Sequence, residues 1–262
     1  MLKTLLRTFL CIFILIAQQV VWADTLGDNS QTASLSKRIS DWPEWHLPGP
    51  FNSSKLKQDI KYPEFFFGTW DVISIDLNKP ESEVINYLVK FKHDSLGNVI
   101  GDRNYNTQSI GKKIFGDNLL SVNNDLELPN RQIAIFKDAE YLETKIIGRN
   151  QEMTINGRFI TDELALQIYH SFSTSRINQI ETLSQYNACK DLGISILNLH
   201  SGAICGEQWQ AMYKEPGDSL FARPVRTNHF RLILVPQEDQ ISLKYFLNHL
   251  SNEKEFSAQD DH

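Results

Sequence analysis

From Phe65 onward the chain alternates apolar and polar residues in short runs separated by turn residues, and this period of two constrains the fold more than anything else in the sequence. A chain patterned this way buries one face of each strand, so it is expected to fold as an all-β barrel or sandwich. The runs fall at residues 65–77, 87–93, 99–105, 113–115, 130–136, 141–148, 152–156, 159–160, 164–173, 207–214 and 228–235. Asp94-Ser95-Leu96-Gly97-Asn98 offers the Gly and Asn of a hairpin loop between the second and third. A simple small barrel uses about eight strands, so some of these runs are expected to be extensions of others.

Alternation also nominates inward-facing polar groups. In the run 164–172, Leu164, Leu166, Ile168, His170 and Phe172 share a face, which sets His170 among apolar neighbours. Glu207, Trp209, Ala211 and Tyr213 share one face of the next run, with Gln208, Gln210 and Met212 on the other. Polar side chains inside a barrel mark either water networks or ligand selectivity, so His170, Gln208 and Gln210 are the candidate ligand-binding residues. The plainer alternatives are a satisfied core histidine and an ordinary amphipathic strand. Arg223, Arg226 and Arg231 form a basic cluster, read either as solvated loop charges or as a site for a carboxylate or an acidic partner.

The N-terminus reads as an export signal over residues 1–23: Lys3 and Arg7 precede an apolar stretch, and Val21-Trp22-Ala23 offers small residues for cleavage. The apolar stretch is about 14 residues, shorter than the roughly 20 that span a bilayer, so no membrane span is expected once the signal is removed. Residues 24–40 read as a flexible leader, 41–250 as one folded domain and 251–262 as a disordered tail. In Asp41-Trp42-Pro43-Glu44-Trp45 and the prolines that follow, the expectation is an extended segment clamped across the barrel wall. The alternative is an exposed aromatic site at Trp42 and Trp45. Residues 240–250 carry apolar groups at a helical period, which predicts a short C-terminal helix.

Export makes a Cys189–Cys205 disulfide the leading expectation, since these are the two cysteines left after cleavage. The formal charge of −6 becomes more negative when Lys3 and Arg7 leave, which disfavours nucleic acid as a partner. The seven histidines form no close ligand pair, and no nucleophile elbow, phosphate loop or carboxylate pair stands out. No catalytic residue, metal or cofactor is therefore assigned, and the chain is expected not to be an enzyme.

Gly68-Thr69-Trp70 at the head of a β-rich chain, with Arg231 on the last strand, resembles the lipocalin-like barrel family. That resemblance implies a single antiparallel barrel in which a basic residue packs over the Trp70 indole. It also implies that Gly68 admits a close backbone approach and that the barrel binds a small apolar molecule such as a pigment, quinone or lipid. Residues 42–70, with Trp-Pro-x-Trp, Tyr-Pro-x-Phe and Gly-x-Trp, are also similar to an uncharacterised lumenal family of cyanobacteria and chloroplasts. Residues 205–213 and 222–236 share that likeness, which implies a periplasmic or thylakoid-lumen address and assigns no functional residue. The second functional expectation is an accessory or assembly factor that contacts a membrane complex.

Overall fold

The computed structural model describes residues 34–51, 58–125, 128, 130–189, 202–214 and 222–237. Its ten strands are β1 (Gly68–Asp76), β2 (Ile85–His93), β3 (Val99–Gly101), β4 (Leu119–Asn124) and β5 (Arg131–Phe136), then β6 (Tyr141–Met153), β7 (Phe159–His170), β8 (Ser175–Ala188), β9 (Ile204–Tyr213) and β10 (Arg226–Pro236). All join one antiparallel sheet in the order β3-β2-β1-β10-β9-β8-β7-β6-β5-β4, curled into a half-barrel. Every neighbouring pair is consecutive in sequence except β1 and β10, so the chain runs as a meander whose first strand meets its last. The barrel is cut at one place only, between β3 and β4. There the connection is the helix α2 (Arg103–Phe115), which packs on both β2 and β4.

Several expected runs merge or change type. The run 141–148 and the start of 152–156 belong to the single strand β6, which ends at Met153 and has a bulge between Ile146 and Gly148, and 159–160 and 164–170 belong to β7, which ends at His170. The run at 99–105 stops as a strand at Gly101, and 113–115 is the last turn of α2 rather than a strand. Strands β4 and β8 carry polar groups on both faces and show no clean alternation. The hairpin at 94–98 forms as expected, with Gly97 at φ +78° and Asp94 Oδ1 accepting from the backbone N–H groups of Leu96 and Asn98.

The inner face of the sheet holds Phe66, Trp70, Val72, Phe91, Phe159, Ile204, Phe230, Leu232 and Leu234 as one cluster. Trp70 is buried there, but Arg231 does not cover it. Trp70 lies opposite Pro236, while Arg231 lies opposite Ile75 and points to the exposed outer face, because its parity on β10 is opposite to that of Phe230 and Leu232. The indole Nε1 instead donates to the Phe66 carbonyl at 2.7 Å. Gly68 likewise has a different reason from the one expected: no atom lies near its missing side chain, and its φ of +124° is the feature that favours glycine.

The outer face of β7 to β9 is covered by the N-terminal segment. A short helix, α1 (Leu35–Ser40), occupies the end of the expected leader, so any flexible leader stops before Ser34. Leu35 and Trp45 are fully buried against Ile160, Leu164, Leu183, Trp209, Ala211 and Tyr213. Each such side chain contributes roughly 1.5–3 kcal/mol by leaving water. The segment is therefore clamped across the barrel wall, and burial closes Trp45 to outside partners. Arg38 Nε and Nη2 reach the two Glu181 carboxylate oxygens at 2.8 and 2.7 Å, and the guanidinium lies 4.8 Å from the Trp45 ring centre. Tyr213 donates to the same carboxylate at 2.5 Å.

Cys189 and Cys205 form a disulfide with Cα atoms 4.8 Å apart. In the β8–β9 register Asn187 faces Cys205, so the bond staples the two strands where they part and, for a loop of this size, adds about 3 kcal/mol. No described helix is long and apolar enough to cross a membrane. The export signal, the C-terminal helix expected at 240–250 and the tail lie outside the described residues.

Beneath the N-terminal segment, Asp162 is fully buried, and no described residue donates to either of its oxygens. Burial, and then the neighbouring Glu181 charge, raises its pKa well above the usual carboxylate range, with Arg38 opposing. A raised carboxyl pKa contributes stability that is complete below the unfolded value of about 4 and is lost as pH rises toward the folded value. Asp162→Asn is therefore expected to gain melting temperature relative to wild type progressively as pH increases from 4 to 9. Thermal unfolding across that range checks it, and a pH-independent difference would contradict it.

Candidate functional site

The curled sheet and α2 line a cavity of about 110 Å³ whose two sides differ in chemistry. Val72 from β1, Tyr87, Val89 and Phe91 from β2, and Leu232 and Leu234 from β10 make an apolar wall, because those strands turn apolar residues inward where they line the cavity. The opposite floor carries Thr161 and Glu163 from β7, Thr182 and Ser184 from β8, and Gln208 from β9. Tyr62 and Tyr186 flank it. Burial raises the pKa of the Tyr62, Tyr87 and Tyr186 hydroxyls. Tyr186 lies against Gly206 across the β8–β9 ladder, where a Cβ would stand 2.7 Å from the ring; glycine there sets the width of the cavity at this point.

One charge faces the cavity, and it is compensated. Glu163 accepts from Arg149 Nε at 2.6 Å in a buried cross-strand pair. Arg149 also donates to the Gln58 carbonyl, and Asp59 pairs with Arg103 at the start of α2, so the chain entering β1 is held to the floor. Across the floor, Gln208 donates to Ser184 Oγ at 3.0 Å and Gln210 donates to Gln208 Oε1 at 3.4 Å. The Thr182 hydroxyl and Gln210 Oε1 are buried, face each other in the β8–β9 register, and find no described partner.

The roof is α2, whose buried positions are Asn106, Thr107 and Gly111 rather than an apolar stripe. Asn106 replaces a strand: its Oδ1 accepts from Lys90 N at 2.6 Å and its Nδ2 donates to Lys90 O at 3.1 Å. Ser109 Oγ accepts from Leu88 N at 3.0 Å, and Thr107 donates to Gln132 on β5 at 3.0 Å. Ile110 and Phe115 pack toward Leu119, Val122 and Phe136. The helix thus joins both sides of the cut in the barrel.

Of the candidate residues, Gln208 lines the cavity and Gln210 is its hydrogen-bonded neighbour on the same face. His170 is not inside: the even positions of β7 face outward, and its ring stacks on Tyr141 with centres 4.2 Å apart at the strand's end. The arginines do not form a cluster, since Arg223 pairs with Glu44 and Arg231 projects from the outer face. The alternation of 164–172 read only the apolar parity and passed over Thr161 and Glu163. Thr182 and Ser184 were missed with β8, although Ile177, Ile180, Thr182 and Tyr186 are β-formers that could have marked it. Among the described residues no cluster of His, Cys, Asp and Glu could hold a metal ion.

Replacing Asn106 with Ala is expected to lower stability by about 1–3 kcal/mol, because it strands the backbone N–H of Lys90, while the Lys90 C=O keeps the Asp102 N–H as its donor. Denaturant unfolding checks this, and hydrogen exchange should speed up in α2 and at residues 88–90 but not in β7 to β9.

A family model described as a domain of unknown function, DUF6816, matches residues 55–236, more than half of the chain, so the protein belongs to that family. No curated protein and no solved structure matches the chain. The curled antiparallel half-barrel is compatible with a lipocalin-like fold.

Proposed function

We propose that this DUF6816 member is an exported, non-enzymatic binding protein of the periplasm or thylakoid lumen that holds a small ligand between the sheet and α2, in the manner of a lipocalin. The supporting observation is the division of one cavity into an apolar wall and a polar floor, the arrangement that orients a ligand with an apolar body and one polar end. Pigments, quinones and lipids have that chemistry. At about 110 Å³ the cavity is smaller than the roughly 300–1,000 Å³ of pockets that take whole drug-sized molecules, so it accommodates one ring or one chain end. Native and denaturing mass spectrometry of the protein from its host test this. A discrete small mass released on denaturation is expected, and it should be lost in Leu232→Trp, which fills the cavity. Protein that carries nothing and takes up no added ligand overturns the proposal.

A second reading, docking on a membrane complex, draws support from one end of the barrel. Phe65, Phe67, Leu96, Met153 and Ile155 are exposed there on three separate connections, tied together by Phe67 stacked on His93 and by Phe66 packed on Phe159. Under this reading, Phe67→Ser with Ile155→Ser abolishes co-purification with the complex while leaving the melting temperature within a few degrees of wild type. Undiminished recovery of the complex rules it out.

A further inference from the structure

We infer that residues 240–250 fold as a short amphipathic helix that lies over the apolar end of the barrel and covers Phe65, Phe67, Leu96 and Ile155. This goes beyond both functional readings, and the cavity plays no part in it. Topology delivers the segment to that place. Strand β10 runs antiparallel to β1 with Pro236 opposite Trp70, so the chain leaves the sheet at the end where the turn Glu64–Phe66 enters β1. The 94–98 hairpin and the turn after β6 share that end, because Gly68 pairs with Phe91 and Phe66 packs on Phe159. Phe65, Phe67, Leu96, Met153 and Ile155 are each more than half exposed there, an apolar group of the kind that marks a docking surface. In the sequence that follows Gln237, Leu243, Phe246, Leu247 and Leu250 fall at i, i+3, i+4 and i+7, the spacing that lines up one face of a helix. Lys244, Asn248 and His249 fall away from that face, and Glu238 and Asp239 come just before the segment, where a helix N-terminus favours acidic residues.

Residues 238–250 lie outside the described residues, and chain length decides whether they reach the apolar end. Phe67 is three residues from Trp70 and so stands within about 16 Å of Pro236, three residues of extended chain plus one strand spacing. The stretch from Pro236 to Leu243 spans up to about 25 Å when extended, which is ample. A helix over 240–250 is about 16 Å long, enough to touch more than one of the three connections. The tether also selects this occupant over a second copy or a free partner, since a segment on a short linker is present at an effective concentration of roughly millimolar order. Anything that docks at this end of the barrel must displace the segment first.

Paramagnetic NMR on the full exported chain tests this, with one added thiol at Ser251→Cys, since Cys189 and Cys205 are bonded to each other. A nitroxide on that thiol is expected to quench most of the amide signal of residues 65–67, 94–98 and 153–157, and to leave residues 171–174, at the opposite end of β7, unchanged. A segment that is tethered but undocked also passes near this end, so the same label is read in Leu243→Ser with Phe246→Ser, which removes half of the stripe and alters no described residue. Quenching there should fall to a small fraction of the original. Equal quenching in the two proteins, or quenching centred elsewhere on the barrel, overturns the inference. So does quenching of isotope-enriched, unlabelled protein by added nitroxide-labelled protein, which would assign the segment to a second copy. No quenching at any residue, with the label immersed in added phosphatidylcholine vesicles, assigns the stripe to a lipid surface and overturns it as well.

Discussion

A curled sheet that does not close has two edges, and hydrogen bonding across that cut is what the rest of this structure depends on. Unpaired N–H and C=O groups at the mouth of an apolar interior are costly in proportion to their burial, and here β3 is too short to cover β2. Asn106 and Ser109 supply the missing partners from a helix, making three hydrogen bonds to the backbone of residues 88 and 90. Once α2 is fixed to that edge, Thr107, Ile110 and Phe115 carry it across to β4 and β5, and the space left beneath the helix is the cavity.

The two faces of the sheet meet opposite demands. The outer face of β7 to β9 is apolar and would be exposed without the N-terminal segment, so Leu35, Trp45 and Leu47 cover it and Arg38 locks onto Glu181. That lock brings a charged pair into a dry layer, tolerable because the pairing is bidentate and Tyr213 adds a third hydrogen bond. Asp162 shares the layer and lacks such partners, which is why its proton is held so firmly. On the inner face the same strands turn Thr161, Glu163, Thr182 and Ser184 toward the cavity.

Much of the architecture was legible from alternation. The all-β class, the 94–98 hairpin, the opposed faces of Gln208 and Trp209, and the clamped tryptophan segment all follow from a period of two, from turn chemistry or from the need to bury an indole. The disulfide followed from export and an even cysteine count. Alternation does not say which parity faces inward, and so His170 was placed on the wrong side, while the lipocalin resemblance put Arg231 over the Trp70 indole although it points to the outer face. A one-residue change of parity moves a side chain through the thickness of the sheet, and only the register of β7 against β8 and of β1 against β10 resolves it.

The sequence alone therefore determined an all-β chain, the hairpin at 94–98 and the apolar residues that had to be buried in the runs it marked, because those depend on local conformation and on transfer from water. The tertiary structure decided where the barrel is cut, that a polar helix closes the cut, and that residues as distant in sequence as Tyr62, Glu163, Gln208 and Leu234 line one cavity. Helix α2 has no apolar stripe, since the face it buries forms hydrogen bonds with a strand edge, and hydrogen-bonding complementarity to a distant partner leaves no periodic mark in the sequence that carries it.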